Sequence, residues 1–316
     1  MILKLEALLR RLPINHPTRK KIEEELAKSY AGFRGEQAID YQLSLLGGDY
    51  QIFQDVRLPY KENTYFQLDF LLVTDRFLLI IEVKNIAGTL FFDQSFHQLI
   101  RTMDEKEEGF ADPVLQVKKH KQQLQTWIKN NKLPPIPIET LIVISNPSSI
   151  IKTTPQHKEI YRLVTHAANL PAKIHSIEND YPNKSCEKSE LRKMIRLLQK
   201  QHTDPDYDIL QRFQIAPSEI VTGVLCPDCF ITLSRKKGQW FCSNCASLFQ
   251  NAHIQALIVY RLLIRSTITN KQLRDFLRIP SVSVASKMLN SLQAESVGKY
   301  KNKVYYLSLD VLILTK

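Results

Sequence analysis

Apolar residues follow a helical spacing in one early part of the chain and a strand-like pattern in the part after it. Between residues 19 and 46 they recur near every third or fourth position, and Gly47-Gly48 ends this pattern. Alternating or continuous apolar runs follow, separated by turn residues, which is typical of strands. We predict strands at residues 50–58, 65–74, 77–84, 89–92 and 96–101.

A helix and a further strand follow these runs. An acidic loop at residues 104–108 leads to Asp112, which suits a helix N-cap, and Pro113 suits the first helical position. The predicted helix extends to about residue 130, and an apolar run at residues 140–145 predicts a buried strand. Strands followed by a helix and another strand predict an α/β fold with a mixed sheet flanked by helices.

After residue 150 the patterns are mainly helical, interrupted by a compact cysteine-rich segment at residues 226–245. Helical signals between residues 155 and 216 predict the completion of the preceding domain and a helical linker. The last predicted elements are helices at residues 254–264, 270–279 and 284–292 and a basic hairpin at residues 296–307. Their order resembles a winged helix, a fold that binds DNA in many proteins and binds other proteins in some.

Positive charge is concentrated in the last third of the chain, whose total net charge is +11. From Cys226 onward, 13 Lys and Arg stand against 4 Asp and Glu, whereas the first 225 residues carry 30 basic and 28 acidic side chains. Such a cluster favours a polyanion because bound cations release the counterions condensed on phosphates. We expect a nucleic-acid partner; a generally solvated basic surface is the alternative, and an anionic membrane fits less well.

No segment predicts a secretory signal or a membrane span. The first twelve residues have apolar side chains at helical spacing, but Lys4, Glu6 and two arginines interrupt the apolar stretch that a signal needs. Later apolar runs are much shorter than the roughly 20 residues of a spanning helix. We therefore expect a soluble, cytoplasmic protein with no membrane partner.

Three charged residues lie within two otherwise apolar predicted strands. Asp69 occupies the first strand, and Glu82 and Lys84 occupy the second. Because strand side chains alternate, Glu82 and Lys84 project from the same face, and a hairpin would bring Asp69 near them. Two adjacent carboxylates suit a hard cation such as Mg²⁺, and a lysine suits a phosphate or an attacking water. A buried structural ion pair is the alternative.

The order of several short segments resembles the PD-(D/E)xK nuclease superfamily and, over about residues 30–146, the nuclease-related domain named NERD. The matching segments lie at residues 32–36, 67–69, 81–85, 88–90 and 112–116, with His120 beyond them. One departure is that Leu68, rather than proline, precedes Asp69. The resemblance implies a restriction-endonuclease-like fold and phosphodiester hydrolysis.

This resemblance also implies a role for individual residues. Asp69 and Glu82 would bind Mg²⁺ or Mn²⁺, and Lys84 would be catalytic. His120 would be structural or would contact phosphate. Nuclease-like folds include members that bind without cutting, so a non-enzymatic DNA-binding or partner-recruiting protein is the alternative. The catalytic residues implied are Glu36, Asp69, Glu82, Lys84 and Gln116.

Four of the five cysteines form two C-x-x-C pairs, at Cys226, Cys229, Cys242 and Cys245. This spacing suits a tetrahedral zinc site of the ribbon type, and four cysteine ligands leave no open position for catalysis. Two redox dithiols are the alternative. The segment resembles the zinc ribbons of bacterial topoisomerases, whereas Cys186 is expected to be a free thiol.

The basic region offers two sets of DNA contacts. In the cysteine segment, Trp240 would stack on an unpaired base beside three cations; the alternative is a packing role with Trp240 buried. In the winged-helix-like tail, lysines of the second helix and of the wing would contact phosphates. The nucleic-acid contacts predicted are Arg235, Lys236, Lys237, Trp240, Lys287, Lys299, Lys301 and Lys303.

We interpret the chain as a DNA-processing or repair nuclease that acts on single-stranded or branched DNA and carries structural zinc. Its winged-helix-like tail could also recruit a protein partner. The predicted parts are a helical extension at residues 1–29, the nuclease-related domain at 30–150, a helical linker at 151–220, a zinc ribbon at 221–250 and a winged-helix-like basic domain at 251–316.

Overall fold

The computed structural model describes residues 1–48 and 50–314, apart from the side chains at positions 301, 311, 313 and 314. The predicted contact of Lys301 therefore lies outside the described side chains. The chain divides into two compact units. Unit 1 contains Met1–Ser29 and Asp206–Lys316, and unit 2 contains Tyr30–Pro205.

Helices form where apolar residues recur at helical spacing, and several start at residues whose side chains cap them. Asp112 accepts a hydrogen bond from the backbone N–H of Val114, with Pro113 at the first helical position, as predicted. The helices are α1 (Ile2–Arg11), α2 (Arg19–Ser44), α3 (Pro113–Asn130), α4 (Lys158–Leu163), α5 (Leu170–Asp180), α6 (Lys188–Gln201), α7 (Ile209–Arg212), α8 (Ala252–Leu263), α9 (Asn270–Leu277), α10 (Val282–Ser291) and α11 (Leu309–Leu314).

The strands follow the short apolar runs and their hairpin turns. One strand, β6, lies partly in the segment predicted to be an acidic loop, because pairing with the preceding strand orders a run that has no apolar pattern of its own. The strands are β1 (Gln51–Pro59), β2 (Tyr65–Val73), β3 (Leu78–Lys84), β4 (Thr89–Asp93), β5 (Gln98–Met103), β6 (Lys106–Ala111), β7 (Ile138–Ile144), β8 (Ile150–Thr153), β9 (Val164–His166), β10 (Ser234–Lys236), β11 (Gln239–Phe241), β12 (Leu248–Phe249), β13 (Thr267–Thr269), β14 (Ser296–Val297) and β15 (Val304–Tyr306).

Unit 2 is built on a five-stranded mixed sheet with the order β1-β2-β3-β7-β9. The first three strands are antiparallel, and β3, β7 and β9 run parallel. Apolar side chains of α3 and α6 cover one face of the sheet, and those of α2 and α5 cover the other. Because both faces are covered, the central strands are nearly continuous apolar runs. This confirms the predicted mixed α/β architecture with flanking helices.

A second sheet of unit 2 has the order β6-β5-β4-β8. It packs through Leu90, Phe92 and Leu99 against the first two turns of α3 and the end of β7. The antiparallel strands β4 and β5 form the predicted hairpin, and β8 joins β4 in parallel. The sheet thereby supports the start of α3, which carries Gln116.

The region predicted to complete the preceding domain and form a helical linker belongs to unit 2 as far as Pro205 and contains a strand. Strand β9 pairs with β7, and α6 buries Met194 and Leu198 against the first sheet. Trp127 of α3 donates its Nε1–H to Oε1 of Gln201 at 2.8 Å. Residues up to Pro205 thus complete the core of unit 2, because the sheet face beside α3 is wider than one helix can cover.

Unit 1 combines α1 with the C-terminal part of the chain in one apolar core. Leu5 and Leu8 of α1 are fully buried in this core together with Leu257 of α8. Two small antiparallel sheets, β10-β11-β12 and β13-β15-β14, complete the unit. Among the described residues, none of the helices has the length and apolar character needed to cross a membrane.

Candidate active site and four-cysteine cluster

The β2–β3 hairpin brings the predicted acidic residues together. The register pairs Phe70 with Ile81, so the preceding Asp69 lies opposite Glu82. Asp69 Oδ2 accepts a hydrogen bond of 2.8 Å from the backbone N–H of Val83. This hydrogen bond therefore fixes the carboxylate of Asp69 beside the position of Glu82 on β3.

Glu82 is the centre of a closed hydrogen-bond triangle with Lys84 and Gln116. Its Oε1 accepts from Lys84 Nζ at 2.7 Å and from Gln116 Nε2 at 2.7 Å. Lys84 Nζ also donates to Gln116 Oε1 at 3.0 Å. The alternation along β3 places Glu82 and Lys84 on one face, and α3 brings Gln116 to it. Each of the three side chains restricts the rotamers of the other two.

The same cluster contains one buried oxygen that has no hydrogen-bond partner among the described residues. Glu82 is 3% exposed, and its Oε2 is the oxygen concerned. Burial and the neighbouring charge of Glu82 raise the pKa of Asp69 to about 7. Two close, desolvated carboxylates with a free oxygen are costly unless a cation compensates them. The donor set of carboxylate oxygens fits a hard divalent ion such as Mg²⁺ or Mn²⁺.

Helix α2 reaches this cluster at Gly35, where a side chain would not fit. A Cβ on Gly35 would lie 2.8 Å from the Cβ of Asn85 and 2.9 Å from Oγ of Ser145. Asn85 also donates its Nδ2–H to the carbonyl oxygen of Ala31 at 2.7 Å. The close approach places the next residue, Glu36, near the acidic strands. Burial and the charge of Asp55, with a smaller effect of Glu82, raise the pKa of Glu36.

Asp55 is an acidic neighbour of the site that the sequence analysis missed. On either side of it, Gln54 pairs with Phe70 and Val56 with Leu68, so Asp55 stands opposite Asp69 in register. Its φ of 52° departs from extended backbone. Its strand is polar and mostly exposed, so no apolar run singled it out. Pairing β1 with β2 in register is the signal that would have found it.

His120 lies one helical turn beyond Gln116 on α3 and faces the free oxygen of Glu82. Its Nδ1 is 3.6 Å from Glu82 Oε2, and both atoms are buried without a hydrogen-bond partner in the described structure. Burial lowers the pKa of His120. The ring is therefore a wall of the acidic site.

A comparison with protein families identifies this region. Residues 31–145 match the nuclease-related domain, NERD. The matched segment contains all five predicted catalytic residues and indicates a nuclease-related function. No curated protein and no solved structure matches the chain.

Outside the NERD segment, the two C-x-x-C pairs meet in a single cluster. The four Sγ atoms lie within 4.8 Å of one another, and those of Cys226 and Cys245 are 3.8 Å apart. A tetrahedral site with Zn–S bonds of about 2.3 Å has an S···S edge of about 3.8 Å. The sulfur donor set and its closed geometry fit a Zn²⁺ ion. Cys186 lies in unit 2, apart from this cluster.

The structure corrects the expected role of Trp240 in the four-cysteine segment. Trp240 is 2% exposed, and its Nε1–H donates to Nδ1 of His253 at 3.3 Å. On β11 it lies between two outward-facing residues, so strand alternation points it into the core. It is not available to stack on a base, whereas the predicted cations Arg235, Lys236 and Lys237 are exposed.

In the C-terminal part of unit 1, α8, α9 and α10 accompany the β13-β15-β14 sheet. Lys287 on α10 and Lys299 before β15 are exposed. Lys303 is half-buried, and its Nζ lies 4.7 Å from the ring centre of Tyr305. Of these three lysines, Lys287 and Lys299 are therefore the more accessible to solvent.

Proposed function

We propose that the NERD region of unit 2 hydrolyses phosphodiester bonds in DNA with Mg²⁺ or Mn²⁺. The observation that carries this proposal is the convergence of Asp69, Glu82 and Lys84 around a buried carboxylate oxygen that has no hydrogen-bond partner among the described residues. A merely structural ion pair would satisfy both oxygens of Glu82. A cation site explains why one of them is left open.

Each residue has a definite task in this proposal. Asp69 and Glu82 hold the divalent ion, which when bound supplies charge stabilisation at the phosphate and a more acidic water. Lys84, fixed by Glu82 and Gln116, presents an ammonium group that orients the attacking water or offsets the growing negative charge. Glu36 extends the acidic site from α2.

The proposal assigns substrate holding to unit 1. The four cysteines hold a structural zinc, and the winged-helix-like part and the exposed cations of the cysteine segment contact DNA phosphates. Unpaired or branched DNA is the substrate class that we infer, within DNA processing or repair. The open positions of Lys287 and Lys299 and of Arg235 support this division.

The test is cutting of single-stranded, duplex and branched DNA by the purified protein, with Mg²⁺, with Mn²⁺ and with no added divalent ion. The divalent ion is omitted rather than chelated, because a chelator would also remove zinc from the four-cysteine cluster. We expect Glu82→Gln to abolish cutting because it removes a cation ligand but keeps the size of the side chain.

Glu62→Gln is the matched control, since Glu62 is an exposed carboxylate in the β1–β2 turn. It should leave cutting unchanged, and thermal melting should show that both variants fold. Tight DNA binding by the wild type without cutting under any of these conditions would reject the nuclease proposal and favour a DNA-binding protein.

A further inference from the structure

Unit 1 contains a pocket of about 560 Å³ beside the four-cysteine cluster, within the size range of ligand pockets. Neither the predicted zinc site nor the basic surface explains it. It is bounded by α1, by the loop that follows the first C-x-x-C pair, by β12 and by the start of α8. The lining residues that matter here are Arg10, Arg11, Phe230, Leu248, Phe249 and Asn251.

The apolar wall of this pocket is unusually open to solvent. Phe230 is 57% exposed and Leu248 is 56% exposed, although both belong to a small module that buries Trp240 and Leu233. Phe249 is half-buried beside them. A flat aromatic surface at the mouth of a pocket is suited to stacking, because each base presents a π-face whatever its identity.

The opposite wall contains two arginine residues of α1, Arg10 and Arg11. Arg11 is 2% exposed, its Nη1 donates to the carbonyl oxygens of Val221 and Gly223, and its guanidinium lies 5.3 Å from the ring centre of Phe276. No carboxylate pairs with it in the part of the chain that the structure describes. Arg10 adds a second guanidinium, whose only carboxylate contact among the described residues is Glu6 at 3.7 Å. Arg11 is therefore held by the core, and the exposed Arg10 is the guanidinium that an anionic ligand can reach.

The net charge of unit 1 also favours an anionic ligand. Unit 1 has 21 Lys and Arg against 11 Asp and Glu, a net charge of +10, whereas unit 2 has 22 against 21. A chain of phosphates is therefore drawn to unit 1 rather than to unit 2. An apolar helix from a partner protein would cover Phe230 and Leu248 but would offer no negative charge to the exposed Arg10.

We propose that this pocket binds one unpaired nucleotide of single-stranded DNA, with its base against Phe230 and its phosphate near the exposed Arg10. The inference rests on the proposed function and names the site that distinguishes unpaired from paired DNA. A base held in a duplex is already stacked and cannot enter. Asn251, exposed at the start of α8, provides an amide for the edge of the base.

The experiment measures the affinity of the full chain, carrying Glu82→Gln to prevent cutting, for a fluorescent oligothymidylate and for a duplex of equal length. We expect Phe230→Ala to weaken binding of the oligothymidylate roughly tenfold and to leave duplex binding unchanged. Arg10→Gln should weaken binding and lower the slope of log affinity against log salt by about 1.

Ile231→Ala is the matched control. Ile231 is the neighbouring residue, 37% exposed, and lies outside the pocket lining. It should keep full affinity, and all variants should retain their zinc content. An oligothymidylate carrying 5-iodouracil should photo-crosslink to the peptides that contain Phe230 or Phe249.

Unchanged affinity of a folded, zinc-loaded Phe230→Ala variant for single strands would overturn the pocket proposal, as would crosslinks confined to other peptides. This failure differs from failure of the nuclease proposal. A chain that binds single strands through Phe230 but never cuts keeps the pocket and loses the nuclease. A chain that cuts normally with Phe230→Ala and binds single strands as before keeps the nuclease and loses the pocket.

Discussion

The two units differ most in how they distribute charge. Unit 1 has a net charge of +10 and exposes most of its cations, whereas unit 2 is nearly neutral and holds a cluster of acids around the buried Glu82. A cation site for phosphate chemistry needs carboxylates, and carboxylates repel the DNA on which they act. Under the proposed function, separation of the two tasks removes this conflict, since unit 1 would supply the long-range attraction and unit 2 the local chemistry.

The units also differ in what stabilises them. Unit 2 covers both faces of a five-stranded sheet with helices. The cysteine segment has only two or three residues in each of β10, β11 and β12, and few apolar side chains of its own. Metal ligation can contribute about 10–16 kcal/mol to the folding of such a segment. The two units should therefore respond differently to the loss of one side chain.

The largest expected effect tests this difference. Cys242→Ser removes a fully buried ligand of the cluster, so we expect loss of bound zinc and unfolding of the segment. Cys186→Ser is the matched control, because Cys186 is also buried but lies in unit 2. Metal analysis and thermal melting measure the outcome. Cys242→Ser protein that retains stoichiometric zinc would contradict the assignment of the cluster.

The next effect concerns the chemistry of unit 2. Lys84→Met removes the ammonium group but keeps an apolar chain of similar length, so the cutting rate should fall by roughly 10²–10⁴-fold. DNA affinity should change little, because binding is assigned to unit 1. Lys106→Met, at an exposed lysine of β6, is the control. An equal loss of affinity and rate in Lys84→Met would show that the two tasks are not separated.

A smaller effect should arise where α2 meets the acidic strands. Gly35→Ala places a Cβ 2.8 Å from Asn85 and 2.9 Å from Ser145, so we expect the free energy of unfolding to fall by about 1–3 kcal/mol. Cutting should slow as well, because Glu36 moves with the helix. Gly32→Ala, where no heavy atom lies within 4 Å, should be neutral or stabilising. Equal melting temperatures for the two variants would argue against the close approach.

The smallest effect concerns the surface of unit 1. Lys299→Gln removes one exposed cation, so DNA affinity should fall a few-fold and the salt dependence of log affinity should decrease by about 1. The cutting rate at saturating DNA should remain that of the wild type. Titrations at several salt concentrations measure this change. A reduced rate at saturation, with affinity preserved, would assign Lys299 to a different role.

The sequence predicted the centre of unit 2 better than its periphery. The predicted strands at residues 65–74 and 77–84 correspond to β2 and β3 because long apolar runs allow little else. Asp55 escaped notice because its position depends on cross-strand register rather than on its own neighbours. In the part after residue 150, strand β9 was not predicted, because it is short and is defined by its pairing with β7.

The side chains of unit 1 were harder to predict than its elements. The two C-x-x-C pairs predict a cluster by spacing alone, and the four sulfurs do meet. Whether Trp240 faces solvent or the core depends on which residues of the three-residue strand β11 point inward. So short a strand has no alternating pattern from which this could be predicted. The exposure of Phe230 was not predicted, because a single aromatic residue in a loop follows no pattern.

Unit 1 is formed from both ends of the described chain, and this has a consequence for synthesis on the ribosome. Helix α1 emerges before unit 2, yet its apolar face packs with α8, which emerges more than 200 residues later than α1. The intervening unit 2 can complete its core before α8, against which α1 packs, has been synthesised. During that interval Leu5 and Leu8 are exposed, so a nascent chain stalled after unit 2 should be a preferred client of chaperones that bind amphipathic segments.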